Sequence, residues 1–182
     1  MDTWKIDSEH STAGFDVRFL FRHMHGQFTG ISGSVFLDPV DVSRSVVEAV
    51  IDTTSVKAED RTWRTQIRGP HFLDVEHHPT ITFKSTAVER TGNRHIRISG
   101  DLTIRGITNE EILEAEYTDP EEDTEGKTLA MRLTAHTTIN RVDYGITLQD
   151  KEALSLMIGK DIRITLAVRL VSLALETRVA AP

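Results

Sequence analysis

Side chains able to do chemistry are thinly spread along this 182-residue chain. Its eight histidines include two local pairs, His23-Met-His25 and His77-His78, and imidazoles so placed can hold a transition metal when a third ligand stands at a matching step. The adjoining sequence offers no carboxylate or further histidine at that step. Neighbouring residues of a strand also face opposite ways, so no metal site is expected. Arg64, Arg68, Arg141 and Tyr144 are the candidates for gripping an anion, because a guanidinium fork matches phosphate oxygens. For Arg141 with Asp143, a structural ion pair or turn network is the competing reading. The chain has no cysteine, which removes a thiolate nucleophile, a disulfide framework and a cysteine-ligated metal. With no Gly-x-Ser-x-Gly elbow, P-loop or dinucleotide fingerprint either, no catalytic residue and no cofactor are assigned.

A net charge of -7 argues against a nucleic-acid partner, which calls for a basic face. It leaves room for one phosphate group on one or two arginines. The opening Met-Asp-Thr-Trp-Lys-Ile-Asp has no basic stretch followed by an apolar one, and no apolar run approaches the roughly 18 residues of a membrane span. The reading is a cytoplasmic protein of one domain, 1–182, long enough to bury a core without staples.

The elements that must position these residues are mostly strands. Ile96, Ile98, Gly100, Leu102 and Ile104 alternate with Arg97, Ser99, Asp101 and Thr103, which is a strand with one dry and one wet face. Arg105-Gly106 supplies a turn, and Leu113, Ala115 and Tyr117 return on a second half-buried strand. Phe15, Val17, Phe19 and Phe21 have the same period, followed by Phe28 among Gly26, Gly30 and Gly33, a density of glycine that suggests bulges or a sharply coiled segment. Val46 to Ile51 alternates poorly and reads as a strand covered on both faces. Ile81 and Phe83 lie on another strand. Leu129, Met131, Leu133, Ala135, Thr137 and Ile139 share one face of a long strand over 128–139, and Ile162, Ile164, Leu166, Val168 and Leu170 share one face of another over 161–175. Only Lys57 to Arg68, acidic early and basic late before Gly69-Pro70, reads as a helix of about three turns with Trp63 and Ile67 on one face; that face would cap or plug something. Lys151 to Ile158 suits a second, short helix. The sum is an all-β chain of about eight antiparallel strands, and strands of ten or more residues favour a barrel over a sandwich.

Taken in order, the segments Trp4-Lys-Ile-Asp-Ser-Glu-His10-Ser11, Phe15-Asp-Val17, Gly26-Gln-Phe28-Thr-Gly30, Ser55-Val56, Phe72 through His77-His78-Pro79 to Phe83-Lys-Ser85, Gly100 to Thr108 and Asn140-Arg-Val-Asp-Tyr-Gly145 resemble the YceI-like family. The resemblance runs from Trp4 to about Val168. It implies an extended, eight-stranded antiparallel, lipocalin-like β-barrel with one or two short helices, whose apolar interior binds a polyisoprenoid lipid such as a polyprenyl phosphate or a quinone tail, often as a homodimer. The chain departs from the family at Phe19, where a histidine is usual, and over Trp63 to Ile67, where Arg-Asp-x-His-Leu is usual; both bear on the head group.

On that reading the lining residues are Phe15, Val17, Phe19, Phe28 and Phe83 from the earlier strands, Leu102, Ile104, Leu129, Met131 and Leu133 from the middle, and Ile162, Ile164 and Leu166 from the last. Closed core packing is the competing reading for each. A lipid tail gains about 0.8 kcal/mol per buried methylene, whereas one methylene more or less discriminates by only about 1–3 kcal/mol. Three functions follow as hypotheses: a polyisoprenoid carrier, an enzyme acting on a small apolar molecule, and a stress-related module with a filled barrel.

Overall fold

The structure, a computed structural model, describes residues 2–38, 40–123, 128–148 and 151–172. Its elements in chain order are β1 (Asp2–Ile6), β2 (Thr12–Phe19), β3 (Arg22–Phe28), β4 (Ile31–Leu37), β5 (Val46–Asp52), β6 (Val56–Ala58), α1 (Arg61–Arg68), β7 (Thr80–Gly92), β8 (His95–Ile104), β9 (Ile107–Tyr117), β10 (Glu121–Glu122), β11 (Leu129–Asn140), α2 (Glu152–Met157) and β12 (Ile158–Ser172). Eight of the strands close a ring, β11-β9-β8-β7-β5-β4-β1-β12 and back to β11, with every pairing antiparallel.

Local chemistry sets the register. Ile104 pairs with Ile107, so Arg105 and Gly106 form a two-residue turn, with φ of 53° and 74°. That is the left-handed geometry that matches the twist of a hairpin. From it every second residue of β8 (Ile96, Ile98, Gly100, Leu102 and Ile104) falls inside while the residues between stay exposed or half-buried.

β12 is the longest wall strand and is served on both edges. One edge pairs with β11 from Ser172 to Asp161; the other takes β2 from Ile158 to Ala167 and then β1 from Leu170 to Ser172. β3 and β6 extend the wall beyond β2. Because the apolar face points in and the charged face out, the barrel is the inverse of one facing lipid with its strands. No helix among the described residues is long and apolar enough to cross a membrane.

Several boundaries differ from the sequence reading. Lys57 and Ala58 belong to β6, so α1 starts at Arg61, capped by the Asp60 carboxylate, which accepts the Trp63 N–H at 3.0 Å. β5 is not covered on both faces: Val47, Ala49 and Ile51 turn inward, while Val46 and Val50 are exposed, and these outward valines disguised the alternation. The period of two in β2 stops at Phe19, since Phe21 lies in a turn. Register shifts fall between β7 and β8 and between β2 and β12 and not at the Gly26–Gly33 cluster. The last strand begins at Ile158; positions 173–175 of the expected strand lie outside the described residues.

Where the chain leaves β1, Asp7 ties the ring closed. Its backbone N–H donates to the Arg169 carbonyl at 2.9 Å and its carboxylate accepts from Arg169 at 2.6 Å and pairs with His10 at 2.8 Å. Burial raises the Asp7 pKa, but the bonds to Arg169 and His10 outweigh it, and the folded value lies below the 3.8 of an unperturbed aspartate. A depressed carboxyl contributes stability above its unfolded pKa and loses it as pH falls through the folded value. Asp7→Asn is therefore expected to lower the thermal midpoint at neutral pH, with the gap to wild type closing in acid below the usual carboxylate range; parallel melts at the two pH values check this.

Candidate functional site

The barrel encloses a cavity of about 170 Å³ whose wall is almost wholly apolar. Space remains because inward positions on three strands carry Ala13, Ala49 and Ala135. Larger side chains there would close a barrel of this strand number. Two phenylalanines lie against glycine. A Cβ on Gly26 would come within 2.3 Å of the Phe15 ring, and one on Gly100 within 2.5 Å of Phe83, so each ring sits flat to the wall and leaves the axis open.

The two ends differ. One is sealed by a cluster of Trp4, Val35, Met131, Val168 and Leu170. At the other, α1 turns Trp63 and Ile67 inward, four apart on one helical face, and both line the cavity with Phe72 and Leu73. Trp63 meets Phe72 edge to face, ring centroids 5.4 Å apart. The loop behind α1 is held by the β8–β9 turn, where the Arg105 guanidinium donates to the Pro70 carbonyl at 2.8 Å and also to that of Phe72. The face of α1 expected to cap something does close this end. The Trp63 indole N–H is buried and has no hydrogen-bond partner among the described residues. That of Trp4, in the sealed end, is in the same state.

Of the lining candidates, Phe15, Val17, Phe28 and Phe83 stand in the cavity wall, as do Leu102, Ile104 and Leu133 and, from β12, Ile162, Ile164 and Leu166. Met131 belongs to the sealed end with Leu129 against it, and Phe19 packs at the edge of the main core beside Ile158. None of these three reaches the cavity wall. The sequence reading missed Trp63 and Ile67 as lining residues, although their spacing marked the inner face of the helix, and it missed the small residues that create the space.

The polar candidates are not brought together. Arg64 and Arg68 line an open polar groove on the outside of α1 with Lys57 and Arg61, and Arg68 donates to the Thr54 carbonyl at 3.0 Å. Arg141 does reach the cavity wall, but its guanidinium is 1% exposed and its hydrogen bonds go to main-chain carbonyls: Gly159 at 3.0 Å, Ser155 and Ile158 at 3.2 Å, and Ile146. Burial alone lowers its pKa. No ion pair with Asp143 forms; the carbonyl of Asp143 instead accepts from the Asn109 side chain at 3.0 Å. Tyr144 is fully buried and donates to Glu111 at 2.8 Å. Burial first, and Glu111 second, push its hydroxyl pKa well above the usual phenolic range.

The histidines hold one surprise. His23 and His25 do have a carboxylate, Asp16, supplied across the β2–β3 hairpin, each Nδ1 lying 2.6 Å from a different oxygen of it. Adjacent sequence could not display a ligand brought by strand pairing. His77 pairs with Asp74 at 2.9 Å, which raises the His77 pKa and lowers that of Asp74. Among the described residues no cluster of three such side chains is arranged to hold a metal.

Comparisons with known proteins agree with this architecture. The YceI-like domain family matches residues 4–170. A UPF0312 protein of Vibrio parahaemolyticus is 34% identical over 109 residues, 59% of this chain and 58% of that protein; the chain thus spans under two thirds of that relative. A UPF0312 protein of Pseudomonas putida is 30% identical over 146 residues, 79% of this chain and 76% of its own length. Among solved structures, Burkholderia cenocepacia BcnA superposes with a TM-score of 0.80 at 18% identity, covering 90% of this chain and 98% of that one. A polyisoprenoid binding domain from Saccharophagus degradans gives 0.66 at 13% identity, covering 94% and 99%. With the motifs, the closed eight-stranded ring and a match across almost every described residue, the chain belongs to the YceI-like family.

Proposed function

We propose that the protein binds a polyisoprenoid lipid, a polyprenyl phosphate or a quinone tail, inside the barrel, as a carrier and not as an enzyme, working in the cytoplasm as a single-domain chain able to pair with a second copy. The observation that carries this reading is the continuous apolar wall running from the α1 end to the Trp4 end. Water in such a space has few partners, so an apolar chain replaces it favourably. The family's polyisoprenoid-binding neighbour lends the ligand class. At about 170 Å³ the space lies below the roughly 300–1,000 Å³ of pockets for rigid drug-sized ligands. Cargo must therefore be slim and flexible, with side chains moving aside along its length.

The polar end of such a cargo has a natural partner in Trp63. A buried N–H without an acceptor is destabilising by about 1–3 kcal/mol, and a phosphate or quinone oxygen at the α1 end would relieve that. Native mass spectrometry followed by organic extraction is the test. The expected result is an added mass in the prenyl-lipid range, or uptake of a prenyl alcohol on incubation; a protein that stays bare in both assays belongs to the second reading, a filled barrel, which the small volume favours. Trp63→Phe is expected to weaken a prenyl lipid with a polar end about fivefold, the worth of about one hydrogen bond, and to leave an all-hydrocarbon isoprenoid such as squalene unchanged.

A further inference from the structure

The β2–β3 hairpin ends in a place where folding gains nothing from its residues. Phe19 pairs with Arg22, so Leu20 and Phe21 form the whole turn. Leu20 holds φ at 54°, the left-handed region that disfavours a branched side chain and that Asn or Gly fills in ordinary hairpins. Phe21 is 100% exposed and Leu20 49%. None of the described residues covers this phenylalanine.

A second apolar group stands beside it. The Leu20 N–H donates to the Met157 carbonyl at 2.9 Å, which seats the tip against the end of α2, where Leu156 is 89% and Met157 39% exposed. Four large apolar side chains from two distant stretches thus share one exposed patch. The same stretches carry exposed cations: Arg18 and Arg22 bracket the tip, and Lys151 and Lys160 bracket α2, with Glu152 the only acid within 18–22 and 151–160. Asp161 follows Lys160, yet on a chain of net charge -7 these stretches still hold four cations against that acid and Glu152. The patch also adjoins the cavity, because Ile158, next to Met157 and paired with Phe19, is part of the cavity wall.

We infer that the Leu20–Phe21 tip and the Leu156–Met157 end of α2 form a docking surface for an anionic phospholipid bilayer. Exposed aromatic and aliphatic side chains sink into the headgroup boundary while flanking cations meet lipid phosphates, and the two contributions together give reversible attachment. The surface goes beyond lipid binding within the barrel; only its purpose, presenting the barrel end to a membrane so that cargo can pass, rests on that reading. A hairpin that keeps Leu-Phe where Asn-Gly would be more stable retains it for contact with something outside the molecule. Arg18, Arg22, Lys151 and Lys160 favour a negatively charged surface.

Flotation with phosphatidylcholine vesicles, with and without phosphatidylglycerol, tests the surface. Wild type is expected to float with the phosphatidylglycerol vesicles and to be released by salt. The double change Leu20→Asn with Phe21→Gly is expected to lower that partition by about tenfold or more while melting no lower than wild type, since Asn-Gly suits the turn, so loss of binding cannot be ascribed to unfolding. A wild type that floats with neither vesicle, or a double variant that floats as well as wild type, overturns the inference. So does a wild-type dimer that the double change splits without any vesicle binding, which assigns the patch to a second copy. Ala135→Phe, which fills the cavity, is expected to float normally while taking up no prenyl alcohol. If it floats and still takes up lipid, docking stands and the barrel-binding reading fails.

Discussion

Replacing Arg141 by Met is expected to destabilise the fold by about 3–5 kcal/mol, a large share of a typical domain's stability of about 5–15 kcal/mol. The guanidinium joins the short 3-10 turn of Arg141–Tyr144 to Ile146, to Ser155 in α2, and to Ile158 and Gly159 at the start of β12. Methionine fills similar volume but leaves these carbonyls without that donor, and a buried acceptor stripped of its partner is destabilising by about 1–3 kcal/mol. Arg141→Lys, with one compact ammonium, cannot reach all four carbonyls and should fall between the two. Denaturant unfolding reads the change as a shift in midpoint at constant slope. A loss below about 1 kcal/mol would mean that water replaces the guanidinium, and that the residue stands in the cavity wall for its charge after all.

Ala135→Phe is expected to abolish lipid uptake while destabilising the fold by only about 1–3 kcal/mol, the usual effect of overpacking. Ala135 is fully buried in the middle of β11, opposite Ala115 on one side and Leu166 on the other. A ring at that position occupies the space the small residues leave open, so the barrel becomes the filled version of itself. Isothermal titration with a prenyl alcohol, alongside a thermal melt, separates loss of space from loss of fold. Unchanged binding in a folded variant would place the ligand outside the cavity.

The strands and their faces were legible because a pleated chain advertises burial at every second residue. The β8–β9 hairpin could be read to the residue, since Arg105-Gly106 fixes its register and the burial of Ile96 to Ile104 follows. What a period cannot convey is who stands opposite. Asp16 between His23 and His25, Glu111 beneath Tyr144 and the carbonyls around Arg141 all come from a neighbouring strand or turn and not from the element that carries the side chain they meet. Phe21 misled for a related reason: its spacing fits the strand, and only the pairing of Phe19 with Arg22 reveals that the strand has already ended. Leu129 and Met131 carry the correct face but lie too near the start of β11, because alternation gives the side of a wall and not the height at which a barrel is sealed.

The double duty of β12 has a kinetic consequence. Its partners β1 and β2 lie at the start of the chain, with Trp4 opposite Ser172 and Val17 opposite Ile162. Contacts so far apart in sequence are slow to form, and until residues 158–172 leave the ribosome the apolar face of the sheet has two free edges and no enclosed interior. A chain in that condition is prone to pair with its neighbours. The cavity is therefore not assembled gradually; it comes into being in one late event, when a single strand slides between the two edges and converts an open, aggregation-prone sheet into a closed barrel.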